Sequence, residues 1–265
     1  MNKYATITKN ESQRLMAYRA NIAAHSFGHL FEIMSQVIVW SVIYSKATIL
    51  NGYTFQQMMT YVIVGWFILF ATSNYGFEDK VAKDIHQGTL SNFLVKPFSY
   101  LRYMTAISIG RISFAMVVVV SLEVILLWFM RANLIFNNSV AHLLIVLLLM
   151  FFAYFIRLFF SILVGLASFW FVDISGFYYS FNIISKFLSG AFFPLSLLPA
   201  AFVKTSMWFP FAYTFFVPIQ LYLGKLTLSQ GLQAVAIQLA WLLGLYGIIK
   251  IVWYRGLRKY ESAGI

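Results

Sequence analysis

The sequence predicts an all-α integral membrane protein with six transmembrane helices, and three observations support this fold class. Hydrophobic residues make up 61% of the 265 residues and charged residues only 10%, whereas soluble domains are about 45–50% apolar and about 25% charged. The apolar residues occur in runs close to the ~20 residues that a membrane-spanning helix needs. Most charged residues lie between these runs, so the chain lacks the polar exterior of a soluble globule.

The composition also excludes several kinds of protein. There is no cysteine, so disulfides, thiolate metal sites and cysteine nucleophiles are excluded. The formal net charge of +11 is compatible with a nucleic-acid partner, but the basic residues cluster beside the apolar runs, which favours a role in membrane topology. We therefore expect a lipid bilayer as a partner and no nucleic acid.

The N-terminal segment is polar and basic and lacks the apolar core of a signal peptide, so we expect no segment to be removed. Thr8 and Glu11 have the spacing of a capping box. Leu15, Tyr18 and Ile22 then recur on one helical face. This pattern predicts a short N-terminal helix in the membrane interface.

Six apolar segments are predicted to span the membrane, approximately 22–44, 56–76, 104–130, 140–168, 177–193 and 230–253. The fifth is the shortest. Residues 194–228 are also apolar but contain four of the five prolines. Irregular backbone at membrane depth needs surrounding protein or water, so this segment is predicted to form two short re-entrant helices before the last span.

The basic residues near the span ends set the orientation. Twelve Lys and Arg residues fall on the side of the N-terminus and four on the opposite side. By the positive-inside rule we expect both termini to lie in the cytoplasm. The expected location of the chain is the inner (cytoplasmic) membrane. The sequence has no internal repeat and no low-complexity linker, so residues 1–265 are expected to form a single domain.

Catalytic and nucleotide-binding patterns are missing from the sequence. None of the four histidines lies in a zinc-peptidase motif, and the chain has no G-x-S-x-G elbow. Gly224-Lys225 lacks the preceding glycine of a phosphate-binding loop. We therefore expect a protein that is not an enzyme and that binds no cofactor or metal itself.

One face of the first span is polar. His25, His29, Glu32 and Gln36 follow at steps of four, three and four residues. Two imidazoles and a carboxylate suit zinc or iron, but no other span offers an obvious His or Cys to complete the ligand set. The favoured interpretation is a polar face buried against other helices, where Glu32 finds a cation.

Further polar residues lie inside the other spans: Arg111, Glu123, Arg157, Asn182 and Lys186. A charge at the bilayer centre costs about 2.5–3.5 kcal/mol, so each is expected to face the bundle interior, a partner residue or water. Arg111, Arg157 and Lys186 lie at depths comparable with that of Glu32 in the first span, which favours an ion pair between Glu32 and one of these cations. Glu123 has no cation at its depth and is the better candidate for a cavity, with hydrogen bonding inside the bundle as the alternative.

The longest cytoplasmic loop, residues 77–103, is predicted to contain two short amphipathic helices. Gly88 breaks the first helix, Thr89 caps the second and Pro97 ends it. The apolar positions are Phe77, Val81 and Ile85 in the first helix and Leu90, Phe93 and Leu94 in the second. Periodicity alone leaves open whether this loop rests on headgroups or docks a soluble partner.

Three segments carry a resemblance to a family. Residues 83–90 (KDIHQGTL) and 93–97 (FLVKP) resemble the I-x-x-G-T-L and L-L-x-K-P segment between the second and third spans of permeases of type-2 ABC exporters. Residues 255–262 (RGLRKYES) are similar to the G-x-x-x-Y-E-S ending of a subgroup of drug, viologen or natural-product exporters. The prolines of 192–218 resemble the region before the last span in these proteins. The match covers essentially the whole chain.

The resemblance implies a half-transporter that pairs with a second permease, either an identical copy or a related chain, and docks separate cytoplasmic ABC ATPase subunits. ATP and Mg would then be bound by those subunits. The implied coupling segment comprises Asp84, Ile85, His86, Gln87, Gly88, Thr89, Leu90, Phe93, Leu94, Lys96 and Pro97. Many relatives carry other charged residues at the positions of Asp84 and His86, so no specific salt bridge to the ATPase is transferred. Our hypothesis is that Ile85, Leu90, Phe93 and Leu94 fill an apolar groove on the ATPase.

The expected function is therefore that of an exporter permease for a lipophilic or amphiphilic substrate, including cationic drug-like molecules. Abundant aromatic rings suit cation–π binding, although lipid contact explains most of them. Three alternatives stay open: export of a lipid-linked glycan, a membrane-embedded enzyme acting on lipids, and a scaffold or sensor that does not transport.

Overall fold

The computed structural model describes residues 3–17, 19–46, 48–74, 76–94 and 99–262. The side chains of residues 17, 19–27, 29, 114, 118, 119, 122, 261 and 262 lie outside the description. The α-helices are α1 Lys3–Ala17, α2 Arg19–Tyr44, α3 Phe55–Ala71, α4 Phe77–His86, α5 Ser91–Leu94, α6 Tyr100–Met130, α7 Val140–Leu166, α8 Ser175–Ser189, α9 Ala200–Trp208, α10 Phe211–Thr214, α11 Phe216–Tyr222 and α12 Leu228–Ser262. Two strands, β1 Ile49–Leu50 and β2 Tyr53–Thr54, and three short 3₁₀ helices, Arg131–Asn133, Ala167–Phe169 and Leu195–Leu197, complete the described elements.

Two helical segments of the described residues are long and apolar enough to cross a membrane: Val140–Phe169 and Leu228–Tyr260. Leu30–Tyr44 and Phe55–Ala71 are shorter apolar helices. The predicted count of six spans stays a prediction. Helices do occupy the six predicted segments, and α2 and α6 end at the predicted residues.

The second and fifth predicted spans are longer than the helices found there. α3 ends at Ala71, five residues before the predicted end, and α8 ends at Ser189, four residues early. Gly190 adopts a left-handed conformation with φ +81° that terminates α8. α8 has 15 residues and is about 22 Å long, which is less than the ~30 Å hydrocarbon thickness.

The proline-rich segment forms three short α-helices, α9 to α11, where two were predicted. Pro199 precedes α9 and Pro210 precedes α10, positions where a missing N–H costs no helical hydrogen bond. Phe215, with φ −142° and ψ −63°, separates α10 from α11. This non-helical residue explains why one predicted helix is found as two.

The N-terminal helix exists, but its predicted capping box is wrong. α1 begins at Lys3, so Thr8 lies inside it, and the Thr8 hydroxyl donates to the Ala106 carbonyl of α6 at 3.0 Å. Ser12 donates to the Gly110 carbonyl at 2.8 Å. A Cβ on Gly110 would lie 2.6 Å from the Thr8 carbonyl oxygen, so glycine permits this close packing of α1 along α6. Tyr18 lies outside the described residues.

The buried apolar residues form two main clusters that share α7. One joins α7 to α3 and α11, around Met58, Ile63, Leu149 and Ile219. The other joins α7 to α4 and to parts of α6 and α12, around Phe77, Val81, Leu158, Ile107 and Tyr260. We call the region of the second cluster the α4 end of the bundle. α7 therefore connects the α4 end with the rest of the molecule.

Candidate functional site

A polar cavity of about 60 Å³ lies between α7 and α8 and is closed on one side by α10. We call it the α7–α8 cavity. Its polar lining includes Asn74, Arg157, Ser161, Asn182, Ser185 and Lys186. Three residues that the sequence analysis singled out separately, Arg157, Asn182 and Lys186, are thus brought to one site by the packing of α8 on α7.

Arg157 is held in the cavity wall by the end of α3. Its Nη1 atom donates to the Thr72 hydroxyl at 3.3 Å and to the Leu69 carbonyl at 3.5 Å. The last carbonyls of a helix have no intrahelical donors and attract a cation. The guanidinium therefore fastens α7 to α3, and Arg157 also lines the cavity.

Asn74 joins three elements behind the cavity. Its side-chain oxygen accepts a hydrogen bond from Ser108 of α6, and its amide nitrogen donates to the Tyr154 carbonyl of α7 at 3.4 Å. The Ser108 and Tyr154 hydroxyls also share a hydrogen bond. These bonds satisfy polar groups of the non-helical segment after α3, which would be costly to bury without partners. Sequence reasoning missed this network, because Asn74 lies inside the predicted second span and is not on a periodic polar face.

The comparison of depths predicted that Arg111 pairs with Glu32. This prediction is wrong, because Arg111 pairs with Glu11. Its Nε atom lies 3.0 Å from Glu11 Oε1 in α1, and Arg14 lies 2.7 Å from the same oxygen. Burial raises the pKa of the Glu11 carboxyl, but hydrogen bonds and charges from Arg14 and Arg111 outweigh burial and hold this pKa below its usual value. The partner of Arg111 is a residue of α1, 100 positions earlier in the chain. Counting depths within the predicted spans does not consider this helix.

The polar face of the first span is only partly described. The side chains of His25 and His29 lie outside the description. Glu32 is exposed on the chain, which contradicts its predicted burial against other helices of the same chain. Gln36 accepts a hydrogen bond from Trp40 Nε1 at 3.4 Å. No group of three or more His, Cys, Asp or Glu suited to a metal occurs among the described residues.

Glu123 is buried in α6, with 7% of the residue exposed. Its Oε1 atom has no hydrogen-bond partner among the described groups. It is not part of the α7–α8 cavity lining, so the structure does not assign it to the same site as Arg157 and Lys186.

The predicted coupling segment forms a tight turn between α4 and α5. Asp84 is 3.1 Å from Lys80 Nζ and accepts a hydrogen bond from the Tyr100 hydroxyl at 3.0 Å. His86 Nε2 lies 3.1 Å from the Ser168 carbonyl. Gly88 has φ +73°, a conformation that favours glycine. Asp84 and His86 therefore fix the turn within this chain.

Two predicted contacts with an ATPase groove are wrong for this structure. Ile85 is 5% exposed and Leu90 is fully buried, so both side chains pack inside the chain. The second helix begins at Ser91, and Leu90 precedes it. Leu94 is 41% exposed and Phe93 is half-buried. Lys96 and Pro97 lie outside the described residues.

The exposed part of the turn is polar. Lys83, His86, Gln87, Thr89 and Asn92 are exposed or half-buried. We call these five residues and Leu94 the polar rim. Amphipathic periodicity identified the two faces of the segment, but the chain itself covers most of the apolar face. The polar rim is therefore the part of the segment that the chain leaves exposed.

The helices on either side of the turn pack against other helices, α4 against the last turn of α7 and α5 against the last turn of α12. A Cβ on Gly165 would lie 2.5 Å from Val81 Cβ and 2.9 Å from the Glu78 carbonyl oxygen. The Tyr260 hydroxyl lies 3.1 Å from Ser91 Oγ. The two sequence segments that carry the family resemblance, the turn and the Y-E-S ending, therefore meet in space.

Comparison with known proteins gives one match. The family model described as "ABC-2 family transporter protein" matches residues 30–264. No curated protein and no solved structure matches the chain significantly. The matched range includes the α7–α8 cavity and the turn between α4 and α5.

Proposed function

Because the chain belongs to the ABC-2 family of transporter proteins and is thus a membrane permease subunit of an ABC transporter, we propose that it exports a lipophilic or amphiphilic substrate. The family implies association with ATPase subunits and a membrane location. In our proposal the chain lies in the inner membrane with both termini in the cytoplasm, and separate subunits bind the ATP and Mg. The half-transporter docks such a subunit through the polar rim.

The observation that carries this proposal is the close contact between α4 and α7. Gly165 lets the backbone of α4 approach α7 without an intervening side chain. Arg157 lies eight residues earlier in α7, about 12 Å along the helix. A push on the turn is therefore passed to the helix that carries the cavity, which is the connection that an ATP-driven permease needs.

The docking proposal is tested by substitutions in the polar rim. Gln87→Glu combined with Leu94→Asp adds two charges to exposed positions, so it should reduce co-purification of a co-expressed ATPase subunit about tenfold or more. Leu228→Asp is the matched control, because Leu228 is also exposed but begins α12 far from the turn. It should leave co-purification unchanged. Full retention of the ATPase by the double variant would contradict docking at this surface.

We also propose that α8 faces the second permease. Its outward side chains include Phe177, Tyr179, Ile183 and Ile184, each more than half exposed, although the helix is shorter than the bilayer is thick.

A single cysteine introduced by Ile183→Cys tests this interface, because the sequence contains no other cysteine. It should form a disulfide-linked dimer in membranes, and Leu243→Cys, an exposed control in α12, should not. Monomers alone at position 183 would contradict a dimer of identical copies about α8.

A further inference from the structure

An open cavity of about 610 Å³ lies where α1, α7 and α12 meet the start of α6. We call it the α6–α12 cavity. Its volume falls in the range of about 300–1,000 Å³ that is typical of small-molecule sites. It shares no described lining residue with the α7–α8 cavity, so it is a separate site.

The start of α6 gives this cavity a polar and basic side. Arg102 lines it together with the hydroxyl-bearing residues Ser99 and Thr105, and α1 contributes Lys3. Arg102 is exposed, and its guanidinium forms no ion pair with any described residue. No Asp or Glu belongs to the described lining. This side of the cavity therefore attracts anions.

α12 brings a further cation to the same cavity. Tyr246 of α12 lines it, and Lys250 Nζ lies 4.6 Å from the centre of the Tyr246 ring. Lys250 is exposed, and a cation over an aromatic ring keeps its charge. An anionic group in the α6–α12 cavity would thus be attracted by cations of two different helices.

An apolar path leads from the cavity along α7. Phe159 and Phe155 line the cavity, and Phe151 and Leu147 continue their face at steps of four residues. The rings of Phe151 and Phe155 are 5.0 Å apart, and Phe151 and Leu147 are 56% and 59% exposed. From position 159 to position 147 the helix rises about 18 Å, close to half of the ~30 Å hydrocarbon thickness. The path therefore suits an acyl chain of one leaflet.

We propose that the α6–α12 cavity binds an anionic phospholipid of the surrounding membrane. Its headgroup phosphate lies at Arg102 on the basic side, and an acyl chain follows Phe155, Phe151 and Leu147. Basic pockets between membrane helices on the cytoplasmic side suit such headgroups, and the start of α6 lies on that side in the proposed orientation. This lipid is a resident ligand and not the exported substrate, so the inference goes beyond the proposed function.

Two lipids with matched chains test the headgroup charge. Purified full-length chain in a neutral maltoside detergent is titrated with dioctanoyl-phosphatidylglycerol, which is anionic, and with dioctanoyl-phosphatidylcholine, which has no net charge. Native mass spectrometry gives the two binding constants. The wild-type chain should prefer the phosphatidylglycerol by about fivefold or more, since each basic residue near an anionic lipid contributes roughly that factor.

Paired substitutions locate the site. Arg102→Gln combined with Lys250→Gln should weaken phosphatidylglycerol binding about tenfold or more and remove the preference. The matched control is Arg255→Gln combined with Arg258→Gln, which removes two exposed cations of α12 outside the described lining and should leave binding unchanged. Arg102→Lys keeps the cation and should bind within about twofold of the wild type.

Several results would overturn the inference. Equal affinity of the wild-type chain for the two lipids, or no binding of either, would show that the cavity does not select an anionic phospholipid. Equal weakening by the control pair would mean that the general surface charge attracts the lipid. Displacement of the lipid by an equal concentration of glycerol phosphate would show a site for the free headgroup, without a role for the apolar path. A loss of preference in Arg102→Lys would mean that the charge does not carry the binding.

This test is independent of the proposed function, because it uses the permease without any ATPase subunit. Selective lipid binding without ATP-dependent transport by the reconstituted complex would refute export alone. Transport by a chain that does not distinguish the two lipids would refute the lipid site alone.

Discussion

Two helices that flank α7, α4 and α8, differ sharply in how the chain surrounds them. α4 has six buried residues among its ten, including the acidic Glu78 and Asp84. α8 has 15 residues, and Ser189 is its buried residue. α4 is thus fixed by its own chain, whereas α8 gains little packing from it and depends on lipid or on another protein.

This difference assigns the two helices different mechanical roles. In the proposed function, α4 and its turn, which are fixed by hydrogen bonds, an ion pair and a glycine contact, move together with α7 and transmit force to it. A helix that is mostly exposed can shift relative to α7, because few side chains interlock. Movement of α8 would open or close the α7–α8 cavity, since both helices line it.

The largest expected effect comes from a side chain inserted at the α4–α7 contact. Gly165→Val places a Cβ within 2.5 Å of Val81 Cβ and 2.9 Å of the Glu78 carbonyl oxygen. Backbone must then shift, and overpacking of this kind costs about 1–3 kcal/mol or more. We expect lower thermal stability in detergent and a loss of substrate-stimulated ATP hydrolysis in the reconstituted complex.

The control for this substitution lies in the other helix of the comparison. A Cβ on Gly176 of α8 would meet no described atom within 4 Å, so Gly176→Val should change stability by less than about 0.5 kcal/mol. Equal destabilisation by the two substitutions would show that α4 is not fixed more firmly than α8.

A smaller effect is expected from the charge at the centre of the α4 turn. Asp84→Asn weakens the contacts with Lys80 and with the Tyr100 hydroxyl. The asparagine oxygen can still accept the hydrogen bond from Tyr100, so the unfolding free energy should fall by about 1 kcal/mol, the difference between a hydrogen bond to a charged group and one to a neutral group. The control is Asp79→Asn, because Asp79 is exposed on the same helix. If Asp79→Asn destabilises the protein as much, the network around Asp84 is not what fixes the turn.

The sequence predicted the positions of the helices better than it predicted which of their faces are buried. The apolar run of α7 specifies a long helix from Val140. Arg157 and Lys186, which were expected to face the bundle interior, a partner or water, both line the α7–α8 cavity. Leu90 shows the limit of prediction from periodicity. Periodicity defines an apolar face but does not show whether the chain itself or a partner covers that face. The predicted burial of Glu32 is wrong for the same reason, since this chain leaves Glu32 exposed.

Local turn chemistry and long-range pairing differ in how far a sequence can reveal them. Asn51-Gly52 is a strong signal for a two-residue hairpin turn, and both residues have positive φ, 48° and 80°, between β1 and β2. The contact of Arg111 with Glu11 could not be predicted from span depths, because it joins α6 to α1, which lies outside the predicted spans. Long-range ion pairs depend on how helices pack, which a single sequence does not give.

The smallest expected effect concerns the acidic residue that joins α1 to α6. The pKa of Glu11 is held below its usual value by Arg14 and Arg111, so its carboxylate stabilises the fold at neutral pH. This contribution is lost as the pH falls below the ordinary carboxyl value of about 4.3 and through the lowered folded-state pKa. Because the ion pairs are partly exposed, it amounts to about 0.5–1 kcal/mol.

Glu11→Gln should therefore lower the thermal stability at pH 7 and remove part of the stability loss that the wild-type protein shows between about pH 5 and pH 3. Arg14→Gln should have a weaker effect, because the Arg14 side chain is 56% exposed and that of Arg111 only 26%. A Glu11→Gln variant that loses stability on acidification as steeply as the wild type would mean that α1 is held on α6 by the hydroxyl contacts of Thr8 and Ser12. In that case these hydroxyl contacts and the close packing at Gly110, and not charge, determine the position of α1.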